Sequence, residues 1–167
     1  MKTSARAALG GLAGLIATAA MDYAGTLIWE RWTSPNARAI ERGVEPKFPL
    51  EVLGERIADT LDLHPYEKAG ENISSALHWG IGFFCGALHG VIVRRATVQT
   101  AIVAQSIAMG MLAIDEFGFS AAGLCPPPSA FPRETHVRAF VSHVTYGLTL
   151  ALAYGTLHGL ASPRRSA

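Results

Sequence analysis

Charged residues are scarce in this chain, and that scarcity is the first guide to its class. They make up 16% of the 167 residues, whereas soluble domains usually carry about 25%. Lysine and arginine outnumber the acidic residues by only one, so no strongly basic surface indicates a nucleic-acid partner. An ordinary soluble domain and a nucleic-acid-binding protein are therefore both disfavoured.

Cysteine is nearly absent, and so are the common catalytic motifs. The two cysteines, Cys85 in an apolar run and Cys125 in a proline-rich stretch, form neither a disulfide pattern nor a zinc-ligand spacing. The chain contains no Gly-x-Ser-x-Gly nucleophile elbow and no His-Glu-x-x-His zinc motif. The sequence therefore assigns no catalytic residues and no resident cofactor.

Four long apolar runs are what the chain has instead. Residues 7–29 carry one formal charge, Asp22, whereas 73–93 and 139–161 carry none and 96–120 carries its acidic residues near its end. A helix needs about 20 apolar residues to cross the hydrocarbon core, and there its backbone must satisfy its own hydrogen bonds. The sequence predicts an all-α integral membrane protein, a four-helix bundle forming a single domain in the lipid bilayer.

Lysine and arginine flank these runs on one side only. They precede the first run, separate the second from the third and follow the fourth: Lys2, Arg6, Arg94, Arg95, Arg164 and Arg165. Short cytoplasmic flanks are enriched in these two residue types. The pattern predicts that both termini lie in the cytoplasm.

The alternative for the first run is a cleaved signal peptide. Lys2 and Arg6 form a positive n-region, and residues 17–19 have the small-residue pattern of a cleavage site. The apolar run nevertheless continues past that site to Trp29, which gives it the length of a span. An uncleaved span is the favoured interpretation.

Two segments are predicted to lie on the outer side. Segment 30–72 holds six Lys/Arg against nine Asp/Glu. Within it, 49–62 is predicted to be a short amphipathic helix, because apolar residues recur at helical spacing at Leu50, Leu53, Ile57 and Leu61. Its apolar stripe is expected either on the membrane or bundle end or against a neighbouring loop. Segment 124–135 is rich in proline, which predicts an extended, stiff cover.

Polar motifs recur in two pairs along the runs. Asp-x-x-Gly begins at Asp22 and again at Asp115, and His-x-x-x-Gly begins at His78 and again at His143. This order predicts two helical hairpins related as a parallel repeat. At a rise of about 1.5 Å per residue, these four residues and Glu116 lie at similar depth. They are expected to meet in one outward-facing polar pocket.

The second half of the chain also resembles a known family. The motifs that carry the resemblance are Asp115-Glu116-Phe117-Gly118, Gly123-Leu124-Cys125-Pro126-Pro127, Phe131-Pro132, His136-Val137-Arg138 and His143-Val144-Thr145-Tyr146-Gly147. Together with Met21-Asp22 in the first run, they resemble the YagU-like family of small bacterial inner-membrane proteins. The resemblance implies a multi-pass protein of the bacterial inner (plasma) membrane and brings no particular activity with it.

The leading functional interpretation is proton or small-cation handling. An ionisable residue at a helix centre in the membrane costs about 2.5–3.5 kcal/mol, so five in one layer require an explanation. Carboxylates and imidazoles placed together can exchange protons or bind a cation. His136 and Arg138, at the predicted membrane edge, are secondary candidates. Four short spans form a thin transporter, so a homo-oligomer is expected.

Two other interpretations remain open. The first is a divalent-metal site, with His78, His143, Asp22 and Asp115 as candidate ligands; a metal-dependent membrane hydrolase with Glu116 as base is its enzymatic form. The second is a structural or envelope-maintenance scaffold without catalysis. In a scaffold, Asp22 would bond to His78 and Asp115 to His143, locking each hairpin.

Overall fold

The computed structural model of the protein describes four stretches of the chain: residues 1–45, 47–63, 68–94 and 98–161. Within them all regular structure is helical and no strand occurs, which confirms the all-α prediction. Arg95, Arg164 and Arg165, which help to orient the chain, lie outside the described residues. So do residues 96 and 97 at the start of the predicted third span.

The described helices follow one another with short connections. They are α1 (Thr3–Arg31), α2 (Pro35–Val44), α3 (Pro49–Thr60), α4 (Ala69–Ile92), α5 (Val98–Ala113), α6 (Phe119–Ala121) and α7 (Arg133–Ala161). A π-helical turn, Ile114–Gly118, joins α5 directly to α6, so these three pieces run as one continuous helix. A 3₁₀ turn, Pro128–Ala130, precedes α7.

Three helices of the described chain are long and apolar enough to cross a membrane. They cover Thr3–Arg31, Ala69–Ile92 and Gln99–Ala121. The predicted fourth span lies within α7, which does not reach the same hydropathy, so the four-helix bundle is not confirmed. The physical reason is that α7 carries polar side chains, including His143, which are buried against its neighbours and lower its hydropathy.

The long helices lie side by side. Helix α1 packs along both α4 and α7, and α5 packs along α7. Helices α4 and α5 make few contacts with each other. This arrangement leaves space between α4 and α5 toward the end of the molecule that carries α3.

Glycines bring the backbones of α1 and α4 into direct contact. A Cβ atom at Gly10 would overlap the carbonyl oxygen of Gly86, and one at Gly14 would overlap that of Gly82. Without a side chain between them, the two helices gain van der Waals contact along their shared length. Close approach of this kind is a main source of helix association in lipid.

Two buried tyrosines hold α7 to the C-terminal half of α4. Tyr146 and Tyr154 are fully buried. The Tyr146 hydroxyl donates to the Gly82 carbonyl at 2.8 Å, and the Tyr154 hydroxyl donates to the Val93 carbonyl at 2.9 Å. Each ring thus fills apolar space while its hydroxyl is satisfied, which fixes the height of α7 relative to α4.

The first outer segment contains two helices rather than the single predicted one. Helix α2 begins at Pro35, and the hydroxyl of Ser34 caps it by accepting from the amide of Ala37 at 3.2 Å. Ser followed by Pro is a typical helix start, so the sequence held a signal for α2. Helix α3 (Pro49–Thr60) lies within the segment for which the apolar spacing predicts a helix.

Helix α3 covers the outer end of α4. Gly54 of α3 lies so close to α4 that a Cβ atom there would overlap the Gly70 carbonyl oxygen. On its other side, Arg56 donates to the carbonyl of Gly123 at 2.8 Å. Of the placements considered for its apolar stripe, capping of the bundle is the one that these contacts support.

The proline-rich segment 124–135 is less extended than predicted. It contains the 3₁₀ turn Pro128–Ala130, and α7 already begins inside it at Arg133. Proline is well tolerated in the first turn of a helix and in tight turns, because its missing amide has no partner to lose there. As a result, His136 and Arg138 lie on the first turns of α7.

Candidate functional site

Three neighbouring cavities lie near the end of the bundle that α3 covers, and Met21 and Asp115 line all of them. The polar cavity measures about 190 Å³ and lies under the proline-rich segment, where Glu45, Asp115, Glu116, His136 and His143 contribute to its wall. The apolar cavity, about 210 Å³, lies between α4 and α5. The outer groove, about 590 Å³, lies beside α3 and the start of α4. Asp115 is thus the polar group common to the whole space.

Asp115 and Glu116 sit in the π-helical turn that interrupts the third apolar helix. A π turn admits one extra residue, so it changes the direction of the side chains that follow, and such turns are frequent at functional sites. Asp115 is exposed to the cavity space. Glu116 is largely buried and contacts α7 instead. The π turn was not predicted from the sequence.

Glu116 and His136 form a close pair at the wall of the polar cavity. The Nδ1 atom of His136 lies 2.6 Å from a carboxylate oxygen of Glu116, and its Nε2 atom lies 3.1 Å from the carbonyl oxygen of Pro128. The carbonyl can only accept, so Nε2 donates to it. The short contact at Nδ1 then holds one proton between the ring and the carboxylate.

Asp22 and His78 pair with each other across the contact of α1 and α4. Nε2 of His78 lies 3.0 and 3.1 Å from the two carboxylate oxygens of Asp22. The side chains are 34% and 43% exposed, for His78 and Asp22 respectively. His78 lines the apolar cavity and the outer groove, but Asp22 lines none of the three cavities. Four of the five predicted pocket residues therefore share the cavity system, and Asp22 touches it only through His78.

His143 is buried at the boundary between the polar and apolar cavities. Only 3% of it is exposed, and it lines both cavities together with Asp115. Its Nδ1 donates to the carbonyl of Ala139 at 2.8 Å. The expected hydrogen bond between Asp115 and His143 is not formed: Nδ1 bonds within its own helix, and Nε2 makes no hydrogen bond to a described residue. Nε2 is left facing the cavity space.

Arg138 is paired with a carboxylate that the sequence did not single out. Its Nη2 atom lies 2.5 Å from Glu41 of α2, and the hydroxyl of Thr135 donates to the other oxygen of Glu41 at 2.5 Å. Glu41 is buried, and the Arg138 guanidinium also lies 4.8 Å from the ring centre of Trp29. Arg138 thus belongs to a charged junction between α1, α2 and α7.

Glu45, at the end of α2, adds a further carboxyl group to the polar cavity. Its pKa is raised from 4.5 to about 7, chiefly by burial and in part by the negative charges of Glu41 and Asp115, while Arg138 acts in the opposite direction. Glu45 therefore changes its charge near neutral pH. Glu45 ends a helix that was not predicted, so no pattern in the sequence placed it beside Asp115.

The predicted metal ligands do not come together as a set. Among the described residues, no group of three or more His, Cys, Asp or Glu side chains is arranged to hold a metal ion. Asp22 and His78 form one pair, while Asp115 and His143 face the cavity on the other side. A metal ion needs several ligands at once, and this separation weakens the metal interpretation and its hydrolase form.

Comparison of the chain with protein-family models, with curated proteins and with solved structures finds no match.

Proposed function

We propose that the chain is a multi-pass protein of the bacterial inner membrane in which α7 forms a fourth span and both termini lie in the cytoplasm. The absence of formal charge over 139–161 and the exposed leucines Leu148 and Leu152 of α7 support a lipid-facing surface on this helix. The basic flanks support the orientation. The resemblance to the YagU-like family is in keeping with this location.

Within that membrane, we propose that the cavity system handles protons or a small cation. The observation that carries this proposal is the position of Asp115, which lines all three cavities with His143 or His78 also in the wall. A carboxylate at membrane depth is costly, and this one accepts no side-chain hydrogen bond from the described residues. A carboxyl group between two imidazoles can pass a proton from one to the other.

The experiment is proton flux in liposomes that contain the purified protein and a trapped pH-sensitive dye. Asp115→Asn is expected to lower the flux by about a hundredfold, as for loss of a proton-transfer group. Asp62→Asn is the matched control, since it removes an exposed carboxylate beyond the end of α3 at a positive φ of 53° that asparagine also adopts. Equal flux in wild type and Asp115→Asn would refute the proposal.

The alternative is a membrane scaffold, and the Asp22–His78 pair is the observation that favours it. This pair ties α1 to α4 and stands apart from the other carboxylates. A hydrogen bond between membrane helices contributes about 0.6 kcal/mol on average. In the scaffold interpretation, Asp22→Asn lowers thermal stability in detergent, and wild-type liposomes show no flux above protein-free ones.

A homodimer or larger assembly accompanies the transport proposal. The apolar faces of α4 and α5 expose large side chains such as Phe84 and Ile102, and these face either lipid or a second copy. Cross-linking in native membranes distinguishes the two, because an oligomer gives a discrete product at a multiple of 17.7 kDa.

A further inference from the structure

The hydrogen-bond donors at the rim of the polar cavity are already engaged. Arg138 and Thr135 both donate to Glu41, and His136 contacts Glu116 and the Pro128 carbonyl. The positive charge of Arg138 is thus paired with Glu41, and an anionic ligand would have to compete with Glu41 and Glu116 for these donors.

Three hydrogen-bond acceptors in the same space receive no hydrogen bond from the described residues. The carboxyl groups of Glu45 and Asp115 accept no side-chain or backbone hydrogen bond from the described residues. Nε2 of His143 is the third: because Nδ1 carries the hydrogen donated to Ala139, Nε2 of the neutral ring presents a lone pair. Only 3% of His143 is exposed, which leaves it 97% buried. A hydrogen-bond donor for Nε2 would therefore have to lie in the cavity.

The remaining wall of the polar cavity is apolar and partly aromatic. Phe48 and Phe131 lie on it with Met21 and prolines of the neighbouring segment. Aromatic faces attract cations, and apolar side chains favour a ligand with a hydrocarbon portion. Among the described residues, no three His, Cys, Asp or Glu side chains are arranged to hold a metal ion. A compact organic cation satisfies all of these features.

We propose that the polar cavity binds a primary ammonium group with a short apolar chain, its N–H donors directed at Asp115, Glu45 and the Nε2 atom of His143. A primary ammonium carries three donors and a positive charge, which matches three acceptors and two carboxyl groups. This inference rests on the proposed cation handling and names its substrate class. The same chemistry is found in small free amines and in an ethanolamine lipid headgroup.

Binding is tested with n-butylammonium chloride on the full-length protein in detergent, by thermal unfolding and by isothermal titration. 1-Butanol and sodium butyrate are the neutral and anionic controls of the same chain length, at matched ionic strength. We expect saturable stabilisation by n-butylammonium alone. Equal stabilisation by 1-butanol overturns the proposal, because it means that only the apolar wall is used, and so does the absence of any saturable effect.

Variants locate the ligand in the cavity. Asp115→Asn and Glu45→Gln are each expected to weaken n-butylammonium binding by about tenfold or more, the usual effect of losing one charge-assisted hydrogen bond. Asp62→Asn leaves the affinity unchanged. Glu45 lies outside the spans, so Glu45→Gln keeps the test valid if Asp115→Asn does not fold. Unchanged affinity in Glu45→Gln overturns the proposed site.

Two further comparisons complete the test. In nanodiscs, an ethanolamine lipid that competes with n-butylammonium assigns the natural ammonium to the headgroup, whereas equal affinity in ethanolamine and choline lipids assigns it to a free amine; both support the ammonium site. If n-butylammonium does not bind but proton flux still depends on Asp115, only the ligand class is overturned. If both binding and flux are absent, the proposed function fails as well.

Discussion

At the scale of single residues, Glu41 is the group whose loss should matter most outside the spans. It is buried and accepts from both Arg138 and Thr135. Removing one partner of a buried ion pair leaves the other charge uncompensated, which costs about 3–5 kcal/mol. Glu41→Ala is therefore expected to lower the free energy of unfolding by about 3 kcal/mol, measured by unfolding in mixed micelles.

The control for this prediction is Glu30→Ala. Glu30 is an exposed residue at the end of α1, so its loss should change stability by no more than about 0.5 kcal/mol. Similar losses in the two variants would show that the Glu41–Arg138 pair adds nothing to the fold. Arg138 would then be held mainly by its contact with Trp29.

Glu45 makes a prediction about pH. Its pKa is raised from 4.5 to about 7, so the folded state holds this proton more tightly than the unfolded chain does. Stability is therefore greatest below the unfolded pKa and falls as the pH rises through 7. Glu45→Gln removes the charge, and at about pH 8 it should be more stable than wild type by about 1 kcal/mol, with solvent screening allowed for.

The measurement is thermal unfolding in detergent across this pH range. At about pH 4 the Glu45→Gln difference should vanish, because the wild-type carboxyl is protonated in both states there. Glu30→Gln, an exposed carboxyl, serves as the control. A difference between Glu45→Gln and wild type that is constant across the range would contradict the raised pKa.

At the scale of elements, the contact of α1 with α4 depends on glycine. Gly86→Ala would place a Cβ atom against the backbone of Gly10 and Gly14, and neither backbone can move without separating the helices. Overpacking of this kind costs about 1–3 kcal/mol. The expected result is a lower unfolding temperature in detergent.

Gly80→Ala is the matched control for Gly86→Ala. Both glycines lie in α4, but a Cβ atom at Gly80 meets nothing within 4 Å. Replacing a helical glycine with alanine at an open position stabilises by about 0.4–1 kcal/mol. The prediction fails if Gly86→Ala is as stable as Gly80→Ala, since the close contact of α1 and α4 would then contribute nothing measurable to stability.

The helices themselves were largely predictable, but their internal irregularities were not. Long apolar runs predicted helices over 7–29 and 73–93, and the structure has helices there. The π turn that carries Asp115 leaves no comparable trace, because the pattern of apolar residues continues through it. Its extra residue nevertheless decides that Asp115 faces the cavities while Glu116 faces α7.

At the scale of the whole molecule, the proposed orientation can be tested by accessibility. In a chain with Cys85 and Cys125 replaced by serine, Gly43→Cys in α2 should react with a membrane-impermeant maleimide in intact spheroplasts, because Gly43 is exposed in the outer segment. Lys2→Cys should react only after the membrane is opened, since basic flanks stay in the cytoplasm. The reverse pattern would indicate the opposite topology. Labelling of both sites in intact spheroplasts would contradict a cytoplasmic N-terminus.

The sequence by itself determined the helical class of this protein and the apolar length of its helices, of which three in the described chain could cross a membrane. Apolar length and scarce charge are properties of contiguous residues, and in lipid they leave the helix as the structure that satisfies its own backbone. The polar network was decided by tertiary structure. Glu41 meets Arg138, and Asp115 shares its cavities with His78 and His143, because packing brings distant segments together. Partners so far apart along the chain leave no periodic pattern, and it is the helix contacts that select them.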